Sequence, residues 1–159
     1  MGALNLPAGM QQRIGNGIFI ELYGLGCVER KYVEEVGTMN VMFKIDNKIV
    51  TAPCDGTVLP GVTRDSILQL LTSWGYEVEE RHLAIDELMQ AGKEGRLEEA
   101  FGTGTAAVIS PVGELNFKGE ITVINDFKTG ELTQKLYDTL TGIQWGDVAD
   151  TYGWTREVK

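Results

Sequence analysis

From Val28 onward the apolar residues of this chain recur at the two-residue period of a strand in some segments and at the roughly 3.6-residue period of a helix in others. A segment written in one period cannot bury its apolar side in the other, so the order of segments restricts the fold. VMFKIDNKIVTA, residues 41–52, reads as a hairpin with Asp46 and Asn47 at its turn. TRDSILQLLTSWGY reads as a helix in which Ile67, Leu68, Leu71 and Trp74 share one side, Thr63 or Asp65 is placed to cap the start, and Gly75 stops the end. YEVEERHLAI alternates apolar and charged residues as a half-buried strand does, and IDELMQAGKEG is a second short helix. FGTGTAAVISPVG follows as a glycine-rich turn feeding a strand, then GELNFKGEITVI as another hairpin and ELTQKLYDTLTGI as the last helix. Helices interleaved with strands predict an α/β domain around a mixed sheet.

A chain of 159 residues, 43% of them hydrophobic, supports one ordinary core and is short for two. Its net charge of −9 argues against nucleic acid or an anionic membrane as partner, since both require clustered Lys and Arg. No apolar run approaches the ~20 residues of a membrane span, and the start lacks the pattern of a secretory signal. Cys27 and Cys54 form no CxxC and have no histidine cluster, so neither a metal site nor a disulfide framework is predicted, and a reducing cytoplasm is the expected location. The opening 26 residues are glycine-rich and low in charge, with one apolar run, Ile18 to Tyr23, able to pair as a strand. His82, the sole histidine, reads as a plain strand residue without a partner, and the lysines beyond Lys31 read as solvated charge. Trp74, Trp145 and Trp154 read as core or interface anchors.

Three stretches bring small residues and backbone amides to places a ligand could approach. EEVGTMN, residues 34–40, runs two carboxylates into a Gly-Thr turn between apolar flanks; only one of Glu34 and Glu35 can face inward, and both also fit an exposed strand edge. LPGVTRDS, residues 59–66, delivers the chain through a Pro-Gly turn into a helix start, whose unpaired N–H groups favour an anion such as phosphate; the same residues also fit a simple turn and cap. GTGTAA, residues 102–107, combines glycines with the hydroxyls of Thr103 and Thr105, but matches neither a dinucleotide nor a Walker spacing, so a tight turn is the alternative.

Taken in order and at their spacings, KYVEEVGTMN, LPGVTRDS, WGYEVEER, FGTGTAAVISPVG and LTGIQWG resemble the C-terminal half of the branched-chain amino acid aminotransferases, members of the class IV pyridoxal phosphate-dependent group. The resemblance runs from about Val28 to the end. It implies a mixed, partly barrel-like sheet with flanking helices as the cofactor-binding domain over residues 28–159, with residues 1–27 outside it. It also implies pyridoxal phosphate as cofactor, an amino acid and a 2-oxo acid as substrates, and a homo-oligomer. Glu35 matches the carboxylate that pairs with the ring nitrogen of the cofactor, and Leu59 the residue on the ring face. The Val62 and Thr63 amides and the Thr105 hydroxyl match groups around the phosphate, and the turn of Thr105, Ala106 and Ala107 matches the donors to the substrate carboxylate.

The family's cofactor-linking lysine and a phosphate-gripping arginine lie in segments upstream of the glutamate that this sequence does not contain, and Lys31 stands in the strand just ahead of it instead. No catalytic residue is therefore assigned, and the chain by itself is expected not to transaminate and to expose apolar surface. Two other readings share the fold: a non-catalytic stand-alone domain, and a class IV lyase acting on aminodeoxychorismate. EVGTMN and the continuous match through LTGIQWG favour the branched-chain group.

Overall fold

The computed structural model describes the backbone of residues 18–21, and residues 31–36, 39–56, 58–156 and 158. Along the described chain come β1 (Ile18–Glu21), β2 (Tyr32–Val33), β3 (Glu35–Val36), β4 (Met39–Ile45), β5 (Lys48–Thr51), α1 (Val62–Ser73), β6 (Val78–Glu80), β7 (Leu83–Ala84), α2 (Ile85–Lys93), β8 (Leu97–Gly104), β9 (Val108–Phe117), β10 (Glu120–Val123) and α3 (Glu131–Trp145). Eight strands make one sheet in the order β1-β9-β8-β4-β5-β6, with β10 on β9 and β3 on β4; β2 and β7 pair apart from it. The β1/β9 and β5/β6 pairs are parallel and the others antiparallel, so the sheet is mixed as expected. Among the described residues no pairing joins β1 to β6, and the sheet is open.

Strand β4 is buried on both sides, which makes it the middle of the sheet. Val41, Phe43 and Ile45 pack with Val50, Leu88, Met89, Ala100 and Leu115 on the side covered by α2. Met42 packs with Ile49, Ile67, Leu70, Leu71, Phe101, Leu136 and Leu140 on the side covered by α1 and α3. Each of these side chains larger than alanine contributes about 1.5–3 kcal/mol relative to exposure. The pleat that turns Met42 toward α1 also turns Asn40 there, and this determines where the site lies.

The β4–β5 hairpin turns on Asp46 and Asn47 at φ +50° and +61°, the mirror-image turn whose twist matches the strands it joins. The β9–β10 hairpin is as expected too, and Ile18–Glu21 forms a strand as predicted, while Tyr23 lies outside the described residues. Several expectations need correction. YEVEERHLAI is not one strand: Val78–Glu80 joins the main sheet and Leu83–Ala84 pairs with β2, because Arg81 bends the chain between them, donating its N–H to Thr51 O and its guanidinium to Glu79 and Glu87. His82 has a partner after all, its Nε2 lying 3.0 Å from Asp55 Oδ2. Lys44 is ion-paired with Glu98 at 2.6 Å, not solvated, since the register shift opposite Lys44 and Ile45 brings the Glu98 carboxylate, rather than that of its strand partner Glu99, beside it. Trp74 and Trp154 pack against the α1/α3 core, whereas Trp145 is exposed at the end of α3. Other large apolar side chains are exposed as well, among them Leu59, Val62 and Ile121. Cys54 is free and exposed, and no described helix is long and apolar enough to cross a membrane.

Candidate functional site

Strand pairing sets Glu35 opposite Asn40, and Asn40 opposite Thr103, so the three residues form a row across β3, β4 and β8. They occupy the face that α1 and α3 cover, at the end of the sheet where β4 begins and β8 finishes. Of the two carboxylates in EEVGTMN, Glu35 is the one engaged: its Oε1 accepts from Asn40 Nδ2 at 3.2 Å and from the Leu59 N–H at 3.0 Å. Asn40 Nδ2 donates a second time, to Leu59 O at 2.9 Å. The EVGTMN strand and the LPGVTR turn are thereby stitched together. Gly37 and Thr38 of the motif lie outside the described residues.

The chain enters α1 through Gly61, not through a cap on Thr63 or Asp65 as its sequence suggested. Gly61 is extended and offers no side chain, and Asp65 N–H donates to its carbonyl at 3.0 Å to close the first turn. Glycine is required there because a Cβ would lie 2.5 Å from Asn40 Oδ1. Among the described residues, the Val62 and Thr63 N–H groups have no acceptor. They point out of a helix start whose dipole favours an anion by about 0.3–1 kcal/mol. Leu59 and Val62 stand 69% and 83% exposed beside them. Arg64, buried in the same turn, donates through Nη2 to Ala52 O at 2.9 Å and to Glu80 Oε2 at 2.7 Å, pinning the turn to the ends of β5 and β6.

The third stretch differs from expectation in one respect. Gly102 and Gly104 belong to strand β8, where their missing side chains admit Met39 from β4; the turn itself is Thr105 to Ala107, all three exposed. Val108 closes it at φ +57°, a left-handed conformation that strains a β-branched residue by about 1–2 kcal/mol. Because Thr103 is level with Asn40, the turn two residues on projects beyond the same end of the sheet as Glu35 and α1. No hydrogen bond among the described residues ties the turn to α1.

The residues fit the cofactor that the resemblance implies. There is an acceptor for a cationic ring nitrogen, since among the described residues Glu35 Oε2 accepts no hydrogen bond. There are free amides for a phosphate. Thr103 Oγ1, in a residue 1% exposed and without a partner among the described residues, is an unsatisfied polar atom at the far end of the row from Glu35. The sequence reading missed Asn40 and Arg64, and named the Thr103 hydroxyl without giving it a role. Asn40 ended a motif that was already singled out, but only strand register reveals that it faces Glu35 and α1. No cluster of His, Cys, Asp or Glu among the described residues could hold a metal.

A family profile described as amino-transferase class IV matches residues 23–115. Branched-chain-amino-acid aminotransferase 2 of Bacillus subtilis (strain 168) is 58% identical over 140 residues, covering 88% of this chain and 39% of that protein. Branched-chain-amino-acid transaminase 1 of the same organism is 46% identical over 156 residues, 97% of this chain and 44% of that one, an alignment reaching into the residues before Val28. Among solved structures, the branched-chain amino acid aminotransferase from Escherichia coli superimposes with a TM-score of 0.67 at 29% identity, over 82% of this chain and 41% of that one. The chain thus spans about two fifths of the length of the relatives it matches.

Proposed function

The chain belongs to the class IV aminotransferase family, and from that premise we propose that it forms the cofactor-cradling part of a branched-chain amino acid aminotransferase, an enzyme moving an amino group between Leu, Ile or Val and 2-oxoglutarate. The observation that carries the reading is the convergence of the Glu35 carboxylate, through Asn40 and Leu59, on the free amides that open α1.

Class IV aminotransferases use pyridoxal phosphate, whose protonated ring, when bound, draws electrons from the substrate's α-carbon. The residues of this chain act as follows. Glu35 Oε2 would hold the proton on the ring nitrogen, because an adjacent carboxylate favours the charged ring. Leu59 would cover the ring. The Val62 and Thr63 N–H groups and the Thr105 hydroxyl would receive the phosphate, and the Thr105, Ala106 and Ala107 turn would donate to the substrate carboxylate. None of its lysines occupies the family's cofactor-linking place, so the purified chain binds the cofactor without a covalent bond and does not transaminate. The exposed Leu59, Val62, Ile121 and Trp145 support association as a homo-oligomer, and the family's soluble bacterial members support a cytoplasmic location.

Titration of the purified chain with pyridoxal 5′-phosphate tests this. Saturable binding is expected, lost on Glu35→Ala, with no cofactor mass retained at a single site after borohydride treatment. Glutamate formed from leucine and 2-oxoglutarate above a protein-free control would overturn the non-catalytic part. A clean monomer on size-exclusion chromatography that binds no hydrophobic dye would remove the oligomer.

A further inference from the structure

We propose that Asn40 is the positioning residue of this cradle: it fixes the Glu35 carboxylate against the Leu59–Gly61 turn so that a single oxygen, Oε2, is presented to a cationic ring nitrogen. The inference rests on the proposed function and assigns a role to a residue outside the set that the family resemblance carries over.

Three hydrogen bonds make a closed ring. Asn40 Nδ2 has two hydrogens and spends both, on Glu35 Oε1 at 3.2 Å and on Leu59 O at 2.9 Å. The Leu59 N–H returns to the same Oε1 at 3.0 Å. Two donors on Oε1 hold the carboxylate in one orientation, and Oε2 is the acceptor left over among the described residues. Asn40 cannot swing away. It is 6% exposed, its backbone is paired with Glu35 and with Thr103, and its Oδ1 fills the space that a side chain at position 61 would need. The same amide therefore sets the distance between the acid that meets the ring and the helix start that meets the phosphate. Asparagine is the only side chain of this size that supplies two N–H hydrogens from one atom. Aspartate would face Glu35 with a second carboxylate, and leucine would leave the Leu59 carbonyl without its donor.

The probe is pyridoxine 5′-phosphate, which carries the ring nitrogen and the phosphate but no aldehyde, and so cannot couple to surface lysines. It is titrated into the wild-type chain, Asn40→Ala, Asn40→Asp and Gly61→Ala between about pH 5 and pH 8, with inorganic phosphate as the ring-free comparison. Wild type is expected to bind. Asn40→Ala and Gly61→Ala weaken the ring ligand roughly tenfold, the second because its Cβ displaces the amide. Asn40→Asp weakens it most at neutral pH and recovers toward pH 5, as the introduced carboxyl takes up a proton and regains a donor. Inorganic phosphate changes by less than about threefold. Hydrogen exchange at the Leu59 amide, read without ligand, accelerates in Asn40→Ala while the Leu70 and Leu71 amides keep their protection, which reports an opened ring on an intact α1.

Equal affinity in all four proteins overturns the proposal, as does unchanged Leu59 exchange. A pH-independent loss shared equally by the ring ligand and inorganic phosphate also overturns it, making Asn40 a brace and nothing more. A wild-type chain that binds neither ligand defeats the proposed function itself, and this inference with it.

Discussion

Both α1 and α3 begin at a glycine in extended conformation, Gly61 at φ −69° and ψ 136° and Gly130 at φ −70° and ψ 154°, and neither takes a side-chain cap from its own N-cap residue. Their first turns then fare differently. At α3 the buried carboxylate of Glu99 reaches across from β8, accepting the Leu132 and Thr133 N–H groups at 3.1 and 2.9 Å and the Thr133 hydroxyl at 2.6 Å. Gly130 has no side chain because Glu99 occupies its space. At α1 the sheet's acid, Glu35, stops short of the helix: its Oε1 takes the Leu59 N–H and the Asn40 amide, and among the described residues the Val62 and Thr63 amides stay free. Equal local geometry thus yields a finished structural joint in one place and a receptive one in the other. What differs is the group supplied by the neighbouring strand.

The strongest way to break that contrast is to open the closed start. Glu99→Ala should cost about 3 kcal/mol in urea unfolding, since it strands two buried N–H groups and a hydroxyl; a cost below about 1 kcal/mol would mean that water satisfies them. Next comes the receptive side. Thr103→Val replaces a buried hydroxyl that has no partner among the described residues with a methyl of similar size, and should raise the stability of the ligand-free chain by about 1 kcal/mol in the same measurement. A loss would show that the hydroxyl is already bonded.

A subtler comparison uses inorganic phosphate at about 10 mM. It should shift the Val62 and Thr63 amide resonances and leave those of Leu132 and Thr133 in place, since only the first pair lacks an internal acceptor. Equal shifts at both starts would erase the distinction. The smallest effect concerns a third carboxylate gathering N–H groups, Asp150, which takes those of Thr155, Tyr152 and Gly153 at the periphery. The Thr155 N–H above all holds its carboxyl below the ordinary 3.8. A depressed folded value means that the contribution is present above the unfolded value and lost as pH falls through the folded one. Trp154, stacked on Tyr152 at 4.4 Å, should therefore change its fluorescence only below about pH 4, and Asp150→Asn should abolish that change.

Legibility followed the range of the interactions. Strand β4, the hairpin turn at Asp46 and Asn47, and the bodies of all three helices could be read directly, because hydrophobic period and turn chemistry act within a dozen residues. YEVEERHLAI was misread because its alternation is equally good for one strand or two, and only the pairing of Arg81 with Glu79 and Glu87 bends it. The cap of α1 was misread because Thr63 is a good capping residue by type, while the space beside Asn40 admits only glycine at the true cap. His82 and Lys44 looked unpartnered since their carboxylates, Asp55 and Glu98, are distant in sequence.

By itself, the order of residues determined an α/β chain around a mixed sheet, the identity of the five motifs, and with them the family. Local pattern pointed to the Glu34–Glu35 pair before a Gly-Thr turn and to the Pro-Gly lead into α1, and the family resemblance chose Glu35 of the two. Tertiary structure decided that Glu35 and the lead into α1 meet, that Asn40 is what joins them, and that α3 is sealed where α1 is open. Those outcomes depend on strand register, which sets residues 19 and 33 positions apart within a hydrogen bond of each other. No pattern confined to one segment encodes such a separation.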